Sequence, residues 1–346
     1  MKTRRNSDTD IRDFRSPKFY FPLVLVVVLF CIPLVLKDPS WLQFLILIMF
    51  YAYLTCSWNI IGGFAGQLSL GHAAYIGIGA YTSTALYLHF GLSPWLGMFV
   101  GGVFAALVAV TVGYPCFKLR GAYFALASIA FAEVIRVVTE NTYHIGSIEI
   151  RGPRGLLLPP LGHSPLAFQF LNKAYYYYII LIMMLIALLV TYRISKTKLG
   201  YSLSAIRNSL EAAQSLGVNV ARCRVTAAAT SAFLTALGGT FYAQLILYIF
   251  PEGVMGIIFS CEIAFIAIIG GRGTVFGPIL GALIYIPASE LTRMYLGGGR
   301  LLGIHMVILG IIVMMVMLFQ PAGVIKPLRR AYLSFSKRLE KQSQKA

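Results

Sequence analysis

A glycine-rich stretch, NIIGGFAGQLSLGHAAYIGIGAY at residues 59–81, carries the polar side chains of Gln67, Ser69 and His72 in a chain that is 58% hydrophobic. Polar groups are unfavourable against lipid and therefore face protein, water or the membrane surface. Glycine-interrupted segments of transporters expose helix-end amides and carbonyls, which can bind the charged groups of a substrate. The stretch either lines a translocation path, which the resemblance described below favours, or forms a tight turn near the cytoplasmic face. The predicted lining residues are Gly66, Gln67, Ser69, Gly71 and His72.

Few ionisable residues fall within the other apolar stretches. Glu133 and Arg136 are three residues apart, as are Glu290 and Arg293, and this spacing permits an ion pair within a helix. We interpret both as structural pairs. Glu262 has no partner at helical spacing, and an acid inside an apolar segment is a candidate functional residue. We therefore add Glu262 to the predicted path.

The chain lacks the motifs of membrane-bound enzymes. It has no HExxH, no GxSxG, no clustered aspartate pairs and no Gly-Lys pair for a phosphate-binding loop. Its five cysteines are scattered without a CxxC pair, which argues against a zinc site or a disulfide framework. We predict no catalytic residue, no metal site and no cofactor.

The composition predicts an integral membrane protein. Only 12% of the 346 residues are charged, against about 25% in soluble domains. Apolar runs of about 20 residues, enough to cross a bilayer, recur along the chain. The predicted fold class is an all-α, polytopic transmembrane bundle. The ten predicted helices are 19–36, 41–62, 69–89, 94–116, 121–140, 175–193, 223–248, 255–270, 275–293 and 302–319.

The basic residues indicate the orientation of this bundle. An even number of helices places both termini on one side, and 22 of the 29 lysines and arginines then fall on that side. The positive-inside rule makes that side cytoplasmic. The net charge of +17 therefore reflects topology and predicts no nucleic-acid partner. The predicted organisation is a basic cytoplasmic tail at 1–18, a transmembrane domain at 19–324 and a second basic cytoplasmic tail at 325–346.

Small residues recur about one helical turn apart in several segments, which predicts close helix packing. The stripes are Gly101, Ala105, Ala109 and Gly113; Ala228, Ala232, Ala236 and Thr240; and Gly273, Gly277 and Gly281. The sequence IIGG occurs at Ile60–Gly63 and again at Ile268–Gly271, which suggests an internal repeat. Residues 62–70 form either a simple turn or a break within a longer element.

Two long loops follow from this topology. Asn141–Ala174 faces outside, and its prolines and glycines predict an irregular cap over the bundle. The loop 194–221 faces inside and has a helical pattern from Ser204 to Leu216, with Gly217 suited to end the helix. Its apolar stripe is Ile206, Leu210, Ala213 and Leu216, and its polar rim is Arg207, Asn208 and Gln214. Such a helix can dock into a groove of a cytoplasmic partner. A helix lying on the bilayer surface is the alternative.

Three segments in this chain carry a resemblance to known transport proteins. Glu211-Ala212-Ala213, followed after three residues by Gly217, resembles the E-A-A-x-x-x-G coupling loop of ABC importer permeases. The stretch NIIGGFAGQLSLGHAAYIGIGAYT and the stretch IAIIGGRGTVFGPILGA resemble branched-chain amino acid ABC importer permeases, specifically the M-type subunit. The resemblance runs from about Tyr53 to Val324. IRGPRG at residues 150–155 departs from a T-G-G-x-x-G segment that is common in the family.

The resemblance implies a function and a set of partners. In that family a short cytoplasmic helix fits a cleft on a separate ATPase subunit, and the residues that would couple this chain to it are Arg207, Glu211, Ala212, Ala213 and Gly217. It also implies a related second permease subunit, an extracytoplasmic substrate-binding protein and a bacterial inner-membrane location. The implied substrates are small amino acids, with branched-chain amino acids as the default. The alternatives are urea or short amides in a similar importer, or an ion-coupled carrier that acts alone.

Overall fold

The computed structural model is a helical bundle. It describes residues 27–36, 38–117, 119, 121–146, 148–160, 162, 164–296, 304–320 and 323–325. The predicted basic tail at 1–18 and all but residue 325 of the predicted tail at 325–346 lie outside the described residues.

Helices account for most of the described chain. They are α1 (27–35), α2 (Pro39–Asn59), α3 (His72–Phe90), α4 (Pro94–Cys116), α5 (Ala122–Asn141), α6 (Lys173–Lys196), α7 (Lys198–Asn208), α8 (Leu210–Ser215), α9 (Val220–Ile246), α10 (Pro251–Met255), α11 (Ile257–Gly270), α12 (Gly277–Leu296) and α13 (Ile304–Phe319). Each of the ten predicted spans overlaps one of these helices, which confirms the all-α polytopic fold.

Five helical elements within the described residues have the length and apolar composition of a membrane span. They are Pro39–Phe64, Pro94–Cys116, Ala122–Asn141, Lys173–Lys196 and Pro251–Gly270. The orientation of the bundle and the cytoplasmic location of both termini stay predictions from the charge distribution.

The centre of the bundle is built on the small-residue stripe of α9. Ala228, Ala232, Ala236 and Thr240 are all buried there, as the packing hypothesis predicts. A Cβ atom on Gly79 of α3 would overlap the carbonyl oxygen of Ala236. The backbones of α3 and α9 are therefore in direct contact, which only small residues permit.

The connection from α2 to α3 is a break within the helical layer. A π-helical turn at Ile60–Phe64 extends α2, and residues 65–71 are not helical. The third helix therefore begins at His72 and not at the predicted residue 69. The open question about residues 62–70 is thus answered: a π-helical turn leads into an irregular segment that reverses the chain.

The loop 194–221 contains two helices where the sequence predicts one, so the prediction of a continuous helix from Ser204 to Leu216 is wrong. The backbone of Ser209 is extended (φ −155°, ψ 111°) and divides α7 from α8. The Ser209 hydroxyl accepts a hydrogen bond from the N–H of Ala212 at 3.3 Å. A serine that caps the following helix competes with continuation of the preceding one.

Gly217 ends α8, as predicted. Its φ of +80° lies in the left-handed region, which glycine adopts without strain. The N–H of Gly217 donates to the carbonyl of Gln214 at 2.9 Å, and that of Val218 donates to the carbonyl of Ala213 at 3.0 Å. This pair of bonds is the Schellman motif.

The loop between α5 and α6, hereafter the cap, is largely irregular but contains short strands. β1 (His144–Ile145) pairs with β2 (Ile148–Glu149), and β3 (Leu156–Leu157) pairs with β4 (Tyr248–Ile249), both antiparallel. The N–H of Leu158 in the cap donates to the carbonyl of Leu247 at the end of α9 at 2.8 Å. The cap is therefore fixed to the end of α9.

Candidate functional site

His72 forms the centre of a buried hydrogen-bond chain at the start of α3. Its Nε2 lies 2.8 Å from Ser231 Oγ on α9, and its Nδ1 lies 3.1 Å from Ser69 Oγ. Ser231 donates its only hydroxyl proton to the carbonyl of Ser57 at 2.7 Å. It must therefore accept from Nε2–H. The His72 ring thus has a serine hydroxyl partner at each nitrogen.

The irregular segment 65–71 is held by side chains from three further helices. Trp58 Nε1 on α2 donates to the carbonyl of Ser69 at 2.7 Å. The N–H of Leu70 donates to Ser128 Oγ on α5 at 2.9 Å, and the N–H of Ala73 donates to Ser260 Oγ on α11 at 2.8 Å. Irregular backbone at membrane depth requires such internal partners. These amides are therefore occupied by the protein's own hydroxyls in this conformation.

A small cavity lies beside this segment. Its volume is about 30 Å³, and the polar residues in its lining include Ser69, His72 and Ser128. A single water needs about 10–15 Å³ by this measure. The cavity can hold one or two waters but no amino acid. A solute larger than water can enter this cavity only if the surrounding helices move.

Gln67 faces a buried arginine. In the amide orientation that satisfies both groups, its side-chain oxygen accepts from Arg224 Nε at 3.2 Å. Arg224 Nη1 also donates to the carbonyl of Phe117 at 2.8 Å. From the sequence, Arg224 counts only as one of the basic residues on the cytoplasmic side. Its contact with Gln67 ties the irregular segment to the first turns of α9.

Arg207 links α7 to the break between α2 and α3. Its Nη1 donates to the carbonyl of Gly63, within the π-helical turn, at 2.9 Å. Gly66 is exposed with a φ of +69°, and a Cβ there would lie 2.5 Å from Arg207 Cγ. The arginine side chain therefore lies directly along the glycines of the turn.

Asn59 connects the two IIGG sequences. Its Oδ1 accepts from the N–H of Gly273 at 2.8 Å, and its Nδ2 donates to the carbonyl of Thr274 at 2.8 Å. A Cβ on Gly273 would also overlap the guanidinium of Arg207. Both glycine-containing helix ends thus meet at Arg207.

The six predicted path residues do not form one cluster. Ser69, Gly71 and His72 line the small cavity, whereas Gly66 lies against Arg207 and Gln67 against Arg224. Glu262 is elsewhere: it accepts a hydrogen bond from Tyr51 on α2 at 2.6 Å. It stands two residues from Ser260 and so on a different side of α11. Its role in the path stays a prediction.

The ion pairs predicted within single helices are present, while their structural role stays an interpretation. Arg136 bridges Glu133 and, at 2.7 Å, Glu140. Arg293 Nη2 lies 2.6 Å from Glu290. Both arginines thus bond to acids of their own helix.

The hydroxyl groups that hold the irregular segment are not identified by the sequence analysis. They belong to Ser128, Ser231 and Ser260, and their partners in or next to the segment are 58 to 187 residues away. The only signal in the sequence is a serine inside an apolar helix, because such a hydroxyl needs a partner in the membrane. That signal identifies candidates but not the groups to which they bond.

The helix α8 presents a tip to the solvent. Ala213 is buried in a cluster with Ile206 and Val220, and Leu210 packs against that cluster. Three of the four residues of the predicted docking stripe therefore face their own chain. Leu216 is 83% exposed. The exposed surface, hereafter the tip, consists of Glu211, Ala212, Gln214, Ser215, Leu216 and Gly217. Glu211 in the first turn is favourably placed against the helix dipole.

Comparison with known proteins identifies the same family by a family profile and by an individual relative. A family profile described as "Branched-chain amino acid transport system / permease component" matches residues 40–318. The high-affinity branched-chain amino acid transport system permease protein LivM of Escherichia coli (strain K12) is 26% identical over 360 residues, which cover 93% of this chain and 81% of the relative.

Permeases that are named for other substrates are also similar to this chain. The nucleoside ABC transporter permease protein NupC of Lactococcus lactis subsp. cremoris (strain MG1363) is 26% identical over 247 residues, 69% of this chain and 76% of the relative. The autoinducer 2 import system permease protein LsrC of Salmonella paratyphi B is 34% identical over 101 residues, 28% of this chain and 29% of the relative. No solved structure matches the chain.

Proposed function

Because the chain belongs to the family of branched-chain amino acid transport permease components, we propose that it is the membrane subunit of an importer that carries branched-chain amino acids into the bacterial cytoplasm. As an ABC permease it is a transport component and not an enzyme. The family associates with ATPase and substrate-binding components. The substrate, the individual partners and the inner-membrane location are part of the proposal.

The choice of substrate is supported by the coverage of the relatives. The Escherichia coli relative, named for branched-chain amino acids, aligns with 93% of this chain, whereas the lactococcal nucleoside permease aligns with 69%. Urea or a short amide in a similar importer is the alternative, and ligand identification for the cognate binding protein would decide between them.

The proposal rests mainly on two neighbouring features: the exposed tip of α8 and the hydrogen bond from Arg207 to the break between α2 and α3. The tip of α8 is accessible to a separate ATPase, and Arg207 at the end of the preceding helix bonds to the carbonyl of Gly63. Movement of the tip would therefore reach the irregular segment through α7. Helix-in-groove docking supplies the contact, and α7 supplies a rigid connection.

The partners are assigned by location. We place the ATPase at the loop 194–221, with both basic tails on the same cytoplasmic side. We place the substrate-binding protein at the cap, and a related second permease subunit beside this one in the bilayer. The transmembrane domain then comprises residues 19–324.

Reconstitution tests the proposal. Proteoliposomes that contain this chain, its partner permease, the ATPase and the loaded binding protein should accumulate radiolabelled leucine only with ATP inside the compartment that holds the ATPase. Leucine accumulation by the single chain in ATP-free vesicles would instead indicate an ion-coupled carrier and would refute the proposal.

Replacing Gly217 by valine should weaken ATPase binding roughly tenfold. A branched residue at a φ of +80° is strained by about 1–2 kcal/mol, which distorts the end of α8. Glu211→Lys should also weaken ATPase binding, because it places a cation at the N-terminus of α8, where the helix dipole disfavours positive charge. The measurement is the amount of ATPase that co-purifies with tagged permease from membranes.

Gly146→Val is the matched control for this pair. Gly146 lies in the cap with a φ of +62°, and a Cβ added there would meet no atom of the described part of the chain within 4 Å, as at Gly217. The control should retain the ATPase at the wild-type level. Normal co-purification of both Glu211→Lys and Gly217→Val would count against docking at the tip.

A further inference from the structure

Gln244 carries a buried side-chain amide that has no hydrogen-bond partner among the described residues. The residue is 0% exposed on α9, and neither its amide nitrogen nor its amide oxygen has a partner within the described residues. An unpaired polar group in a water-free environment costs free energy. A polar group that bears this cost inside a membrane protein is a candidate functional residue.

A second unpaired group lies at the same level of the bundle. His72 and Thr240 fix the register between α3 and α9: His72 contacts Ser231, and Thr240 Oγ1 donates to the carbonyl of Gly79 at 3.2 Å. About one helical turn further along both helices stand Thr84 and Gln244. The Thr84 hydroxyl is also buried and without a partner in the described part of the chain.

An apolar cluster borders this level. Ala243, which precedes Gln244, belongs to a cluster with Tyr81 of α3, Leu156 of the cap, and Val254 and Met255 of α10. The Tyr81 hydroxyl is buried and, among the residues described, unpaired as well. The cap closes this end of α9, because Leu158 bonds to the carbonyl of Leu247, three residues beyond Gln244. Unpaired amide and hydroxyl groups thus lie next to apolar side chains beneath the cap.

These groups match the chemistry of one class of ligand. An amide nitrogen donates to a carboxylate, an amide oxygen accepts from an ammonium, and a threonine hydroxyl can do either. The neighbouring apolar cluster can hold an aliphatic side chain. Gln244 and Thr84 are uncharged, so the empty site contains no buried charge, which would cost more free energy than an unpaired neutral group.

We propose that Gln244 and Thr84 bind the carboxylate and ammonium groups of an aliphatic α-amino acid when the cap and α10 move away from α9. This site rests on the proposed function and adds the residues that hold the substrate. It lies nearer the cap than His72 does, so it precedes the irregular segment on the inward route. In this structure the side chains of Gln244 and Thr84 are packed in, and neither has a hydrogen-bond partner among the described residues.

Gln244→Leu in the complete reconstituted importer tests the site. Uptake of leucine from saturating loaded binding protein should fall at least tenfold, while ATPase stimulation by that protein stays within twofold. The thermal unfolding temperature of the purified variant should equal or exceed that of the wild type, because an unpaired buried amide has been removed. Thr84→Val provides an independent variant with the same expected loss of uptake.

Thr55→Val is the matched control. Thr55 on α2 is also 0% exposed and unpaired within the described residues, but it lies outside this level of α3 and α9. It should keep wild-type uptake. Wild-type uptake by both Gln244→Leu and Thr84→Val, or an equal loss in Thr55→Val, would overturn the site. Failure of the wild-type importer to take up leucine would instead refute the proposed function.

Discussion

Replacing Arg207 by alanine is expected to reduce uptake at least tenfold while the assembled importer still hydrolyses ATP. The Arg207 guanidinium bonds to the carbonyl of Gly63 at 2.9 Å. A hydrogen bond from a charged group contributes about 1.5–3 kcal/mol, so its loss should reduce coupling tenfold or more. The tip of α8 lies beyond the break at Ser209 and should still bind the ATPase. The measurement is the ratio of leucine transported to ATP hydrolysed in proteoliposomes.

Two further variants give this experiment its control. Arg222→Ala removes the same charge from an exposed position near the start of α9 and should keep the wild-type ratio. The transport ratio of Arg207→Lys should lie between those of the wild type and Arg207→Ala. An ammonium can reach the carbonyl but lacks the planar geometry of the guanidinium. A wild-type ratio in Arg207→Ala would show that the link transmits no movement.

Replacing Gly71 by leucine is expected to stop uptake altogether. A Cβ at this position would lie 2.6 Å from the carbonyl oxygen of Ser128 on α5. Overpacking costs about 1–3 kcal/mol, and separation of α3 from α5 would also leave the N–H of Leu70 without its serine partner, at about 1–3 kcal/mol more. The combined effect predicts a loss of uptake of about a hundredfold or more, measured with radiolabelled leucine.

Gly310→Leu on α13 controls for the added bulk in a membrane helix. No atom of the described residues lies within 4 Å of a Cβ at Gly310, so this variant should insert and transport normally. Expression and membrane insertion of Gly71→Leu should be confirmed by the same tagged purification. Wild-type transport by Gly71→Leu would exclude the irregular segment from the path.

The positions of the long helices can be predicted from the sequence because the bilayer imposes a length and an apolar composition on each span. The end of α8 can be predicted as well, since Gly217 is the residue type that a left-handed helix end favours. The break at Ser209 cannot. Residues 204–216 lack glycine and proline and keep helical spacing, and the serine cap outweighs that pattern.

The candidate site is predictable only in part. Glycines and polar residues mark the irregular segment, but their partners are distant in sequence: Ser231 lies 159 residues from His72, and Glu262 lies 211 residues from Tyr51. Helical spacing reveals pairs within one helix, such as Glu133 and Arg136, and is silent about contacts between helices. The unpaired state of the Gln244 side chain, found among the residues that the structure describes, is likewise a property of the packed bundle.

Chemical labelling of residue 211 tests the central claim most directly. With the five native cysteines replaced and Glu211→Cys introduced, a membrane-impermeant maleimide should label the chain in inside-out vesicles only. Bound ATPase should protect the residue from the reagent. Labelling in right-side-out vesicles, or equal labelling with and without the ATPase, would contradict a cytoplasmic tip that couples a separate ATPase to the glycine-containing break through Arg207.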